Sequence, residues 1–322
     1  MSTAIAHEPV YGSPEWLADR RNYLGASDMP KIARVSPYGG PLDVYYEKRG
    51  RITAEETHAM KRGHWYEPAV AAEYADRFPD VALELSPTVA HPNFDWLRAT
   101  PDRVVSSRIG RYLLEIKTVT PYALPQYGPD GSSEVPDDKL VQAQVQMLVT
   151  GAPLVHLAVA FGWEMRVYPI ERDLETQQML LELAHNFWFN HHLANVEPEP
   201  SVGIDSELVL KAKYSTHGDT ILKASEAETK VIAAFAQAKA DKADAEARED
   251  ALKRELMLII GHNKAVDSVA GRVTWSETKG RTSIDTDGLV RHLNVPEEVL
   301  QTFTRTGAPF RTMRFYEPKA KK

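Results

Sequence analysis

The stretch LRATPDRVVSSRIGRYLLEIKTVT, residues 97–120, places charges where a folded chain can least accommodate them. Asp102 follows a proline at a turn, and Glu115 and Lys117 stand inside an apolar run that reads as a strand. A charge in a strand core is costly unless it is paired or bound to a metal. Successive strand side chains alternate, so Glu115 and Lys117 share one face. Leu114, Ile116 and Thr118 point the other way, toward a core. Two carboxylates with backbone or water oxygens suit Mg²⁺ or Mn²⁺. Such an ion polarises a phosphoryl oxygen and lowers the pKa of bound water. An adjacent lysine can orient that water or stabilise developing negative charge. A bare Glu-x-Lys is also what any exposed strand with a surface ion pair looks like, so the tripeptide needs its context.

That context is an ordered set of segments. SPEWLADRRNYL (13–24) reads as a helix with Ser13 as N-cap and Pro14 in its first turn. A second cap at Ser27 or Asp28 opens a short helix, and another helix follows the Pro/Gly turn at 37–41. Residues 57–77 read as a longer helix interrupted at Gly63 and Pro68. Strands are predicted at 81–90 and 94–99, with HPN between them. VSSRIG is a turn before the strand RYLLEIKTV. Residues 121–138 form a long loop, DDKLVQAQVQMLVT a helix stopped by Gly151, and 154–171 a hairpin. A helix over about 173–194 leads to NVEPEPSVG, a boundary. Beyond it an Ala/Lys/Glu/Asp-rich helical stretch covers 222–260, strands are predicted at 266–275 and 309–316 with a short helix near 286–293, and EPKAKK is a basic tail.

TPD followed by EIK, with Glu115 thirteen positions after Asp102, resembles the core motif of the PD-(D/E)XK nuclease superfamily. The chain is similar within it to the lambda exonuclease and YqaJ-like phage recombination nucleases. EWLADRRNYLGASD, SPYGGPLDVYYEKRG, MKRGHWYEPAVAAEY and VQAQVQMLVTG resemble further motifs of that family, in its order, over roughly residues 13–170. The resemblance implies an α/β fold: a restriction-endonuclease-like core with a central mixed sheet flanked by helices. Residues 1–200 would be the exonuclease domain. Residues 201–322 would be a C-terminal extension with a long helix, for oligomerisation or for DNA or partner contact.

The resemblance also implies roles. Asp102 and Glu115 match the metal-binding carboxylates, with the Ile116 carbonyl as a further ligand, and Lys117 matches the catalytic lysine. Glu67 falls on a helical acidic residue by the metal, acting through water. Ser27 and Arg20 match residues that bind a terminal 5′-phosphate, with Arg21 the alternative one position on. Trp16 matches a tryptophan near the DNA end. Gln144 and Gln146 match a double-glutamine motif. Two positions apart on a helix they diverge by about 200°, so Gln146 is favoured for the active site. The implied activity is Mg²⁺-dependent digestion (Mn²⁺ substituting) of the 5′ strand of linear duplex DNA, leaving 3′ overhangs. A single-strand annealing partner and a ring-shaped homotrimer accompany it in the family, in a bacterial cytoplasm with a phage or prophage origin. The alternatives are an endonuclease or end-trimming nuclease on the same core, and a non-catalytic DNA-binding scaffold.

Composition bounds these readings. The net charge of −7 offers no whole-protein basic field for nucleic acid; a ring closed around DNA would supply retention without one. The absence of cysteine excludes a cysteine nucleophile, cysteine-bound zinc and a thiolate-held iron–sulfur cluster. No run of about 18 apolar residues marks a membrane span, and no basic-then-apolar start marks a secretory leader. His191 and His192 are adjacent and poorly placed to share a metal. GPDGSSE lacks the Gly-Lys-Ser/Thr ending of a phosphate loop.

Overall fold

The computed structural model describes residues 13–53, 57–277, 279–280 and 282–305. The chain divides into two compact units, one ending at Tyr214 and one beginning at Ser215.

The first unit opens with α1 (Pro14–Asp19), where Ser13 Oγ accepts the Trp16 N–H at 3.1 Å. A 3₁₀ turn (Arg20–Asn22) leads to β1 (Leu24–Gly25), a second 3₁₀ turn (Ala26–Asp28), α2 (Met29–Ile32) and α3 (Pro41–Lys48). Next comes α4 (His58–Arg77), capped by Thr57. It is continuous through Gly63 and Pro68, contrary to the expected interruption. Pro68 is exposed, so the backbone group it leaves without a bond can turn to solvent.

The strands are β2 (Ala82–Leu85), β3 (Val89–His91), β4 (Phe94–Ala99), β5 (Arg103–Ser107) and β6 (Gly110–Val119). The single strand expected over 81–90 is two, divided around Pro87, which has no N–H to give a ladder. The expected turn VSSRIG corrects likewise: residues 103–107 are a strand, and the reversal is Arg108–Ile109 before Gly110, whose φ is +116°. After α5 (Asp137–Thr150), ended by Gly151 at φ +74°, come β7 (Leu154–Phe161), β8 (Glu164–Glu171) and α6 (Leu174–Asn186). The chain continues from α6 as a π-helical segment to Leu193 and then to α7 (Glu207–Lys213). The first unit thus runs past residue 200, because Ser206 at the α7 N-terminus donates its N–H to Asp43 Oδ2 of α3 at 3.0 Å.

Five strands form a mixed sheet in the order β2-β5-β6-β7-β8, parallel only between β6 and β7. A small sheet has the order β1-β4-β3. A parallel neighbour requires a crossover, and α5 is its helix. The even positions Leu114 and Ile116 of β6 pack with Val70, Ala71 and Tyr74 of α4. The odd position Leu113 packs with Ala143 and Met147 of α5. The other side of α5, Val145 and Val149, packs with Leu97 of β4. The helix is therefore clamped between the two sheets, and Asp138, Gln144 and Gln146 are buried with it. This is the expected central mixed sheet flanked by helices.

In the second unit, Ser225 and Glu228 cap α8 (Glu226–Ile260) reciprocally. At 35 residues it is one unbroken helix, inside the helical stretch expected over 222–260. A hairpin, β9 (Ala265–Ser268) and β10 (Gly271–Thr274), precedes α9 (Thr286–His292) and α10 (Glu297–Phe303). The predicted strand at 309–316 and the basic tail lie outside the described residues. Among the described residues no helix is long and apolar enough to cross a membrane.

One polar cluster lies beneath α4. Tyr74 Oη is 2.6 Å from His156 Nδ1 and 3.0 Å from Tyr112 Oη. Burial, with the Arg77 charge adding to it, pushes His156 down to about 4. The unfolded chain takes up this proton near pH 6.5 and the folded chain only near pH 4, so folding stability falls as pH drops through that window. Denaturant midpoints at pH 7 and pH 4.5 should show a smaller acid loss for His156→Phe than for the wild type; equal losses would contradict this.

Candidate active site

The register of β5 and β6 sets the site. Arg103 pairs with Leu114, so one step further Asp102 stands across from Glu115 and their side chains leave the sheet on one face. Asp102 precedes β5, and its Oδ2 accepts the Ile116 N–H at 2.7 Å where a ladder bond would otherwise run. The N–H and C=O of one strand residue point to the same edge. The Ile116 carbonyl therefore also points beyond the end of β5, beside Asp102.

Glu115 is 4% exposed in the middle strand of the sheet. Its carboxylate survives there because three side chains donate to it. Lys117 Nζ and Gln142 Nε2 reach Oε1, and Gln146 Nε2 reaches Oε2, each at 2.6 Å. Burial alone would lower the Lys117 pKa, but the Glu115 and Asp102 carboxylates outweigh it and hold the amine above its usual value. Burial first, and then the Glu115 charge, push Asp102 up to about 8. Two carboxylates thus face one ammonium, and the site is short of positive charge.

A divalent cation fits this deficit and this donor chemistry. The available groups are the Asp102 and Glu115 carboxylates and the Ile116 carbonyl, all oxygen. The Gln146 Oε1 atom is buried without a hydrogen-bond partner, an acceptor suited to a water of a hydrated ion. No group of three His, Cys, Asp or Glu side chains poised for a metal occurs among the described residues. Two carboxylates and one carbonyl would leave the remaining positions of an ion to water, as Mg²⁺ sites commonly do. Glu67 is tied to Arg103 Nη1 at 2.6 Å, and the same nitrogen donates to the Asp102 carbonyl at 2.6 Å. Glu67 is held at the edge of the site by that guanidinium.

The other end of the site is built from α1 and the turn after β1. Arg20 Nη2 lies 3.2 Å from Ser27 Oγ and 2.9 Å from Asp28 Oδ1, with the guanidinium 5.1 Å from the Trp16 ring centre. Lys48 Nζ closes on the other Asp28 oxygen at 2.6 Å. Despite burial, the Lys48 and Arg20 charges hold the Asp28 carboxyl well below the usual carboxylate range.

Both ends open into one cleft of about 540 Å³, lined by Trp16, Arg20, Ser27, Glu67, Asp102, Glu115 and Gln146 among others. Arg20 lines it and Arg21 does not. Lys117 joins through Glu115. Gln144 does not come to the cleft. Its Nε2 donates to the Glu171 carbonyl at 2.7 Å and its Oε1 accepts the Asp173 N–H at 3.0 Å, stitching α5 to the start of α6. Sequence reasoning missed Gln142, Tyr23, His64, Arg98 and Arg103, all of which line the cleft. Gln142 was within reach of it, four positions before Gln146 and so on the same helix face.

Residues 15–153 match the model of the YqaJ-like viral recombinase domain. Every residue lining the cleft falls inside this matched segment. The chain is 26% identical over 216 residues to the uncharacterized protein YqaJ of Bacillus subtilis (strain 168), covering 66% of each, just under two thirds of that relative. Among solved structures it is similar to LHK-Exo, an alkaline exonuclease from Laribacter hongkongensis, at 21% identity over 57% of this chain and 95% of that one, with a TM-score of 0.47. LHK-Exo in complex with dAMP gives 19% identity over the same shares, also at 0.47.

The raised Asp102 pKa has a stability consequence. The unfolded carboxyl ionises near 3.8 and the folded one near 8, so the site costs stability that grows as pH rises between those values. In chelator-containing buffer Asp102→Asn should raise the melting temperature, more at pH 8 than at pH 5. No gain at pH 8 would contradict the like-charge arrangement.

Proposed function

We propose that the protein is a Mg²⁺-dependent DNA exonuclease, with Mn²⁺ able to substitute, that digests the 5′ strand of linear duplex DNA from an end. The 3′ overhang it leaves would serve recombination by strand annealing. One observation carries this reading. The Asp102 and Glu115 carboxylates, with Lys117 bonded to Glu115, line the same cleft as the Arg20 and Ser27 pair. The first suits phosphodiester hydrolysis and the second suits an anionic terminus. The match to a viral recombinase domain supports the recombination setting.

Asp102, Glu115 and the Ile116 carbonyl would hold the ion, which when bound supplies a Lewis acid for the phosphoryl oxygen and a lowered pKa for water. The protein's own groups do the rest. Gln142 and Gln146 fix the Glu115 carboxylate by one bond to each oxygen. Lys117, kept protonated by two carboxylates, carries positive charge to the position where phosphorane charge develops. Arg20 and Ser27 present a guanidinium and a hydroxyl to the 5′-phosphate, and Arg favours such a ligand by its planar donor geometry. Trp16 gives that end an aromatic wall. Glu67 and Arg103 brace the Asp102 backbone. The net charge of −7 makes a purely electrostatic grip on DNA weak. A homo-oligomeric ring would retain the substrate by topology, and a single-strand annealing protein would receive the product strand.

The test is digestion of end-labelled linear duplex with and without a 5′-phosphate, beside a covalently closed circle. Linear duplex with the phosphate should be digested fastest and the closed circle spared; rapid cutting of the circle would overturn the exonuclease reading. Lys117→Ala should lower the rate by about 10²-fold or more in a chain that still folds, with a lower melting temperature because the buried Glu115 loses its cation. Retained activity would refute the role of Lys117.

A further inference from the structure

Lys48 lies outside the proposed chemistry, yet it is placed at considerable cost. Its side chain is 4% exposed and that of its partner Asp28 is 8% exposed. Lysine is rarely so buried unless the surroundings use its charge. Lys48 does not line the cleft, whereas Arg20 does. It touches Arg20 in two ways. Its Nζ donates to the Arg20 carbonyl at 2.8 Å, fixing the turn that carries the guanidinium. The same Nζ lies 2.6 Å from Asp28 Oδ2, an oxygen that also accepts the Gly25 N–H at 2.8 Å. Arg20 holds only Oδ1, at 2.9 Å, through the nitrogen that also reaches Ser27.

We infer that Lys48 is a positioning residue for the phosphate end of the cleft: by taking one oxygen of the buried Asp28 carboxylate it weakens the competition that Asp28 offers a terminal phosphate for the Arg20 guanidinium. The inference rests on the phosphate-end reading above. The reason is electrostatic. A buried carboxylate with a single cation binds it as its full counterion, and a phosphate must then compete against that carboxylate in a low-dielectric setting. A second cation on the other oxygen divides the carboxylate's attraction. Asp28 then orients Arg20 without acting as its full counterion.

The experiment compares digestion rates on 5′-phosphorylated and 5′-hydroxyl linear duplex for the wild type, Lys48→Met and the double variant Asp28→Asn/Lys48→Met, with thermal melting to establish folding. The wild type should favour the phosphorylated end. Lys48→Met should reduce that preference by about tenfold, the worth of one charge-assisted hydrogen bond. The double variant removes the competing carboxylate together with its second cation, so it should recover the preference; a purely structural role for Lys48 would give no such rescue. A folded Lys48→Met that keeps the wild-type preference overturns the inference alone. So does a folded double variant that lacks the preference, and this arm decides the matter if Lys48→Met does not fold. A wild type indifferent to the 5′ group overturns the phosphate-end reading and this inference with it.

Discussion

Glu115 is a buried carboxylate in the middle strand of a five-stranded sheet, and the surrounding structure is organised to keep it there. Burying an ion costs several kcal/mol unless its lone pairs are satisfied (about that order for a single carboxylate). Satisfaction comes from Lys117 two positions along the strand and from two glutamines of α5. For those glutamines to reach it, α5 must lie against the odd-numbered face of β6, and the crossover from β6 to β7 puts it there. The clamping of α5 between both sheets holds the glutamines rigidly. That rigidity is what the proposed phosphoryl chemistry would require, since most of its catalysis would be positioning and charge stabilisation.

The two ends of the cleft are unequal in charge, and the inequality gives the cleft a direction. At one end, Asp102 and Glu115 crowd together around Lys117, and burial, with the Glu115 charge adding to it, pushes the Asp102 pKa up to about 8. At the other, Arg20 and Lys48 converge on Asp28 and hold its pKa down. A cation is drawn to the first end and an anion to the second. The TPD segment joins them, because it links β4 of the small sheet to β5 of the main one. A phosphodiester substrate with a charged terminus fits such a gradient better than a neutral or uniformly charged one.

The sequence revealed the part of this that depends on local alternation. The two-residue period of β6 alone placed Glu115 and Lys117 on one face, and the helical period separated Gln144 from Gln146. What alternation cannot convey is which strand joins which sheet. The run at 81–90 looked like one strand, but Pro87 divides it between two sheets. VSSRIG looked like a turn because its serines and glycine outweighed its one valine, yet that Val105 is fully buried in β5. Gln142 was overlooked because attention fell on a two-residue spacing, when one helical turn is what brings two side chains to one point. Asp28 and Lys48 lie twenty positions apart, on a 3₁₀ turn and a helix, and only tertiary packing brings them together.

The central claim is that Asp102 and Glu115 form a cation site completed by water and backbone oxygen. Calorimetric titration of Mn²⁺ into the metal-free wild type and into Glu115→Gln tests it most directly. Saturable binding by the wild type that is lost or strongly weakened in a folded Glu115→Gln is the expected result. Binding of equal strength by both, or none by the wild type in the presence of linear duplex DNA, would contradict it.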